Sequence, residues 1–361
     1  MRLIALVAAT VVGLTPGVAV AAPDRPNLQK DLDKVASVGA VAEVRDGGRV
    51  WRGSSGVAEV GSSRPVPVDG RVRIGSITKT FVATVVLQLV GEGRLRLDDS
   101  VERWLPGVVP DGQRITVRQL LNHTSGLFDY KDTLTVFPPD PAFLDMRWRT
   151  WTASEQIQQA VAHPPTSEPP GSEYKYSNTN YLVLGEIIEK ITGRSYGEEI
   201  ERRVIRPLRL NHTLVPGTST RIPGPHPHGY VPIEQTGEVK LADFTEMNPS
   251  LFGASGEMIS TTADLNRFFA ALLGGRLLPA HLLKEMKTPG IKGRTYGLGL
   301  SWHDTTCGIR AYGNDGDALA YQAYSFSTED ARHQATIAVT PNFRTDPDES
   351  VNAFLDKAIC S

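Results

Sequence analysis

Two side chains one helical turn apart carry the first chemical signal in this chain: Ser76 and Lys79, in Gly75-Ser76-Ile77-Thr78-Lys79. On a helix, residues at this spacing share a face. A serine hydroxyl is a weak nucleophile at neutral pH and needs a neighbouring base. A desolvated lysine can be that base, because burial lowers an amine's pKa. The spacing alone is common, and Ser172 and Lys175 repeat it in a loop after Pro169-Pro170-Gly171 with no apolar helix behind it. Ser76 instead follows the alternating Arg71-Val72-Arg73-Ile74 and precedes Ile77, Phe81, Val82, Val85, Val86 and Leu89 at helical spacing,. That pattern predicts an amphipathic helix with Ser76 at its positive end, where negative charge on oxygen is favoured. The plainer alternative is a serine that caps a core helix.

Tyr176-Ser177-Asn178 is the second candidate. A tyrosine near a lysine can relay a proton, the cation lowering the phenol's pKa, and an asparagine offers a donor and an acceptor to a substrate amide. Taken singly, Tyr176 reads as a half-buried aromatic and Asn178 as a helix cap. Asn314-Asp315-Gly316-Asp317 is the third candidate, on a late strand whose alternation points both aspartates to one side,. His226 and His228 lie in a Pro-rich surface loop without a third ligand nearby, so no metal is expected there. No metal-binding helix motif or glycine-rich phosphate loop occurs, and no cofactor is implied.

The elements around these residues suggest an α/β (α+β) chain. Residues 1–21 read as a secretory signal, with Arg2, an apolar run from Leu3 to Leu14 and a small-residue cleavage site at Ala19-Val20-Ala21,. An exported protein without a membrane anchor is the expectation. The net charge is −2 and no basic stripe is interleaved with aromatics, so nucleic acid is not an expected partner. A helix is expected at 27–38, then strands at 40–45 and 49–54 around an Asp46-Gly47-Gly48 turn. Three late strands at 308–312, 321–326 and 335–340 precede a helix at 349–359. The terminal strands would join in one antiparallel sheet flanked by the terminal helices. That gives a sheet lobe of about 27–80 and 294–361, a mostly helical lobe of about 81–293, and a cleft between them. Trp104 and Trp151 are expected in the core. A disulfide between Cys307 and Cys360, rather than two free thiols, suits an oxidising environment.

Taken together, Ser76-Ile-Thr-Lys79, Tyr176-Ser-Asn178 and the strand with Gly316 resemble the three motifs of the penicillin-recognising serine hydrolases. Leu120-Leu121-Asn122-His123-Thr124-Ser125-Gly126-Leu127, Gln88 to Leu95 and Tyr296-Gly297-Leu298-Gly299-Leu300 resemble further strings of that family. Within it the chain looks most like secreted actinomycete D-alanyl-D-alanine carboxypeptidases. The resemblance implies a beta-lactamase/transpeptidase-like fold and an acyl ester on Ser76. Lys79 and Tyr176 would move the proton, Asn178 would hold the acyl side, and the N–H groups of Ser76 and Asp317 would form the oxyanion hole. It implies a small peptide or ester substrate, a peptidoglycan stem peptide included. His123 and Ser125 would shape the loop beside the cleft.

The third motif departs from the family. A cation, or a histidine able to become one, is replaced by Asn314, and Ser301 stands where the carboxypeptidases carry an arginine that binds the substrate's terminal carboxylate. Asp315 and Asp317 would repel such a carboxylate by about 3 kcal/mol at ~5 Å and an effective dielectric near ~20. Alternative readings are therefore an esterase or D-specific peptidase or amidase on the same scaffold, or an inactive peptide-binding homologue.

Overall fold

The structure, a computed structural model, describes residues 26–360; the expected export signal lies outside the described residues. The strands in chain order are β1 (Ser37–Asp46), β2 (Arg49–Gly56), β3 (Val72–Arg73), β4 (Tyr230–Gln235), β5 (Glu238–Asp243), β6 (Ile259–Ser260), β7 (Ser301–Asp304), β8 (Arg310–Asp317), β9 (Gln322–Thr328) and β10 (His333–Pro341). Six of them form one antiparallel sheet, ordered β2-β1-β10-β9-β8-β7. Strands from the two ends of the chain thus meet at β1 and β10. Two further pairs, β3 with β6 and β4 with β5, lie apart from it.

Alternation along β1 explains the layering. Ala40, Ala42 and Val44 pack with Leu28, Leu32, Phe354 and Leu355 of the terminal helices Pro26–Leu32 and Asp348–Cys360. Val41 points to the opposite face, into the main core with Phe81, Phe268 and Tyr181. A period of two is what a strand buried on both faces requires. The same alternation ends the first helix early. It stops at Leu32, and β1 begins at Ser37, where a helix to residue 38 was expected. β7 was not anticipated, because its short run, Ser301-Trp302-His303-Asp304, lacks an apolar alternation.

The helix Thr78–Gly91 is not amphipathic. Its residues from Thr78 to Leu87 and Leu89 are buried on every side, which is the pattern of a helix inside a core. Its threonines are accommodated by hydrogen bonds: Thr84 Oγ1 donates to Thr80 O at 2.7 Å, and Thr80 Oγ1 to Gly299 O at 2.8 Å. Phe81 stacks on Phe268 with ring centroids 3.7 Å apart. Trp151 is buried and Trp104 packs partly buried against the same core. A disulfide joins Cys307, in the turn between β7 and β8, to Cys360 at the end of the last helix. No helix among the described residues is long and apolar enough to cross a membrane.

Candidate active site

The strand β3 delivers the chain to a tight turn, Gly75–Ile77, that leads into the buried helix. Ser76 does not cap that helix; neither the turn nor the helix has a side-chain cap. Its Oγ instead lies 2.7 Å from Tyr176 Oη and 2.9 Å from Lys79 Nζ, which donates to it. Lys79 is 0% exposed and makes two further bonds, to Asn178 Oδ1 at 2.8 Å and to the carbonyl of Ser255 at 2.7 Å. Burial pushes its ammonium down to about 7, Asp129 and Asp315 working against that shift and Lys131 with it. An amine near neutrality can exist unprotonated at physiological pH, as a base requires.

Tyr176 has the opposite character. The residue is 41% exposed, but its hydroxyl end is enclosed, and that desolvation raises its pKa well above the ordinary phenol value. The nearby lysine was expected to lower it. Burial wins, with Tyr296, Asp129 and Asp315 adding to the rise and the hydrogen bond to Ser76 opposing it,. With Lys79 deprotonated, its two N–H groups keep Asn178 Oδ1 and the Ser255 carbonyl while its lone pair faces the Ser76 hydroxyl, so that lysine and phenol flank the serine as a neutral base and a neutral acid,.

Asn178 opens the helix Thr179–Thr192 without capping it. Its Oδ1 accepts from Lys79, and its Nδ2 donates to Asp129 Oδ2 at 2.8 Å. One N–H and one lone pair remain for a substrate. His123 stacks on Tyr176 with centroids 4.3 Å apart, and its Nδ1 accepts from the Ser177 backbone at 3.2 Å. Ser125 Oγ donates to Asn180 Oδ1 at 2.6 Å. These two residues tie their loop to the Tyr176 segment, which is the positioning role expected of them. Desolvation keeps His123 neutral by holding its pKa well below the usual value.

On the other wall, β8 presses against the Ser76 turn. A Cβ on Gly316 would come within 2.0 Å of Ile74 O and 2.6 Å of Ser76 N. One on Gly75, whose φ of +49° already favours glycine, would meet Asp317 N at 2.6 Å,. The two glycines thus bring the backbone nitrogens of Ser76 and Asp317 to the same turn. Asn314 is buried; its Nδ2 donates to Thr80 Oγ1 at 3.2 Å and its Oδ1 accepts from Asp315 N at 3.1 Å. It locks β8 to the helix more than it offers itself to a ligand.

The cleft at Ser76 encloses about 340 Å³. Asp315, Asp317, Ser301 and Asn314 line it from the sheet, and Lys131, Tyr176 and Asn178 from the helical side. Tyr174, Tyr296, Phe252 and Ser255 complete the wall. Sequence reasoning missed Asp129, Lys131, Ser255 and the two tyrosines. Tyr296 lies in one of the family-like strings and Asp129 two residues beyond another, but Ser255 acts through its backbone and leaves no side-chain signal. His226 and His228 lie apart from this cleft, His228 Nδ1 meeting Asp243 Oδ2 at 2.6 Å. No cluster of three or more potential metal ligands occurs among the described residues.

Comparison with known proteins agrees with this geometry. A family described as Beta-lactamase matches residues 25–359. The structure is similar to a D-stereospecific amidohydrolase from Streptomyces sp., with a TM-score of 0.83 and 41% identity over 92% of this chain and 98% of that one. It is also similar to the D-amino acid amidase of Ochrobactrum anthropi SV3 solved with L-phenylalanine amide, with a TM-score of 0.79, 28% identity and coverage of 92% and 97%. A putative penicillin-binding protein of Bacillus subtilis, PbpX, is 29% identical over 63% of this chain. The match spans about half, 52%, of that relative's length.

Proposed function

Because the chain belongs to the beta-lactamase family of serine hydrolases, we propose that it hydrolyses amides and esters of D-amino acids or short peptides through an acyl ester on Ser76. In this reading the neutral amine of Lys79 takes the Ser76 proton as Oγ attacks the substrate carbonyl carbon. The N–H groups of Ser76 and Asp317 bind the developing oxyanion. As the bond to the leaving group breaks, Tyr176 gives its phenolic proton to the departing nitrogen or oxygen, and the Lys79 ammonium restores it. Water then attacks the ester, which frees the acid and returns Ser76 to its hydroxyl form. Asn178 orients both Lys79 and the acyl side.

The observation that carries the choice of substrate is Asp315, a carboxylate in the cleft beside Ser76, with Ser301 where a carboxylate-binding arginine would stand. A peptide ending in a free carboxylate meets repulsion there; an amide or ester does not. The names of the two similar amide-cleaving enzymes support the same reading. A carboxypeptidase acting on cell-wall peptides is the second reading, favoured by Lys131, a cleft cation with no ion pair among the described residues.

The test compares an acyl-D-Ala-D-Ala peptide with its C-terminal amide and methyl ester, using a Ser76→Ala control. Faster cleavage of the blocked forms is expected, and Ser76→Ala should remove it. Faster cleavage of the free acid at the D-Ala-D-Ala bond would restore the carboxypeptidase. Binding that survives beside undetectable turnover in the unaltered protein would leave only a peptide-binding role.

A further inference from the structure

We infer that Asp315 makes the cleft selective for leaving groups that carry a positive charge, so that esters of amine-bearing alcohols and amides of diamines or of C-terminally blocked basic residues are its preferred substrates. The inference rests on the amide and ester reading above and narrows it to a substrate class.

Two of the carboxylates at the cleft are already engaged by neighbours. Asp317 is held by its own strand end: Oδ1 accepts from Leu319 N at 2.7 Å and Oδ2 from Gln322 Nε2 at 3.3 Å. Asp129, behind Asn178, accepts from that side chain and from the Lys131 backbone at 3.0 Å. Asp315 differs from both. It forms no ion pair among the described residues, and its backbone N–H, not its carboxylate, is what Asn314 engages. Its carboxylate opens into the cleft.

Its position selects the side of the substrate it meets. Asp315 precedes Gly316, the residue packed against the Ser76 backbone, so it stands one strand residue from the reacting centre. It shares the wall with Ser301, on the neighbouring strand β7, and with the rings of Tyr174 and Tyr296. The helical wall carries Asn178 and Lys131. Aromatic faces next to a carboxylate suit an ammonium or guanidinium.

Lys131, on the helical wall, is the cleft cation that would oppose a cationic ligand, but the charges acting on Asp315 itself favour one. Asp315 is exposed to the cleft, but the protein packed around it desolvates its carboxylate and raises its pKa; its own backbone N–H and Lys79 oppose the rise, and Asp348 and Asp317 add to it. A ligand cation placed here relieves the desolvation and the repulsion together. A ligand carboxylate worsens both.

Three D-phenylalanine amides of equal length test this, with N-alkyl arms ending in an ammonium, a methyl or a carboxylate. The unaltered enzyme should show kcat/KM roughly tenfold higher for the ammonium arm than for the methyl arm, the carboxylate arm being poorest. The gain should shrink as salt rises. Asp315→Asn should bring the ammonium and methyl arms to within about twofold of one another and improve the carboxylate arm. Equal rates for the ammonium and methyl arms in the unaltered enzyme, or a gain that persists in Asp315→Asn, would overturn the inference. Dissociation constants of the three amides with Ser76→Ala read the same preference without turnover. They decide it even if none of the amides is cleaved, an outcome that would count against the amidase reading instead.

Discussion

At the residue scale the site pairs a base near neutrality with a phenol that stays protonated. Lys79 at about 7 must lose its proton before it can take one from Ser76. Activity should therefore rise with pH through about 7, the free-enzyme limb of kcat/KM reporting this group. Tyr176, raised well above its usual range, should add no alkaline limb near neutrality. Tyr176→Phe should lower kcat by roughly 10²–10⁴ and leave the limb near 7 in place. A limb that disappears in Tyr176→Phe would assign the titration to the phenol and remove Lys79 as base. The three side chains that meet at Ser76 Oγ were legible in the sequence because each sits in a short string of fixed spacing. Their fine tuning was not. The phenol's pKa depends on enclosure by Tyr296 and the surrounding walls, a property of packing that spacing does not carry.

At the element scale the decisive contact is β8 against the Ser76 turn. Gly316→Ala would drive a methyl group to 2.0 Å from a backbone carbonyl, where no rotamer can relieve it. The strand must shift, and the backbone nitrogens of Ser76 and Asp317 separate. Acyl-enzyme formation should fall more than about 10²-fold, the typical effect of losing one oxyanion donor, while stability falls by about 1–3 kcal/mol. A burst experiment and a denaturant midpoint on one preparation separate the two effects; near-normal acylation would mean that β8 does not set the donor geometry. The strand itself was readable from sequence, but the expected run at 308–312 stopped short of the residues that matter. Asn314 to Asp317 carry glycine and acids, which break an apolar alternation, and only their pairing with β9 extends the strand to Asp317. The buried helix was misjudged for a related reason. Its threonines look solvent-facing until Gly299 O and Thr80 O receive them.

Across the whole molecule, the disulfide and the sheet hold together segments distant in sequence. Cys307 and Cys360 are 53 residues apart, and in the chain-entropy model closing such a loop is worth about 4 kcal/mol. A Cys307→Ala/Cys360→Ala double variant should unfold at correspondingly lower denaturant. Its turnover before unfolding should be unchanged, since neither cysteine lines the cleft. A midpoint equal to that of the unaltered protein would show that the crosslink adds nothing to stability. The joining of both chain ends in one sheet was legible from alternation and turn chemistry. The hairpin of β4 and β5 was not, because half of it is exposed and polar.

The meeting of β1 with β10 also dictates an order of events when the protein forms. Gly39 and Thr340, 301 residues apart, are linked by a hydrogen bond where β1 meets β10. The hairpin of β1 and β2 can close locally, yet one flank of β1 has no partner until almost the whole chain has been synthesised. Contacts of such high contact order make folding slow, and an open strand edge is a template for association with other chains. The time spent waiting for β10 is thus when newly made protein is most exposed to aggregation. Yield on refolding should fall with protein concentration more steeply than the stability of the finished enzyme would suggest, and a yield independent of concentration would locate the slow step elsewhere.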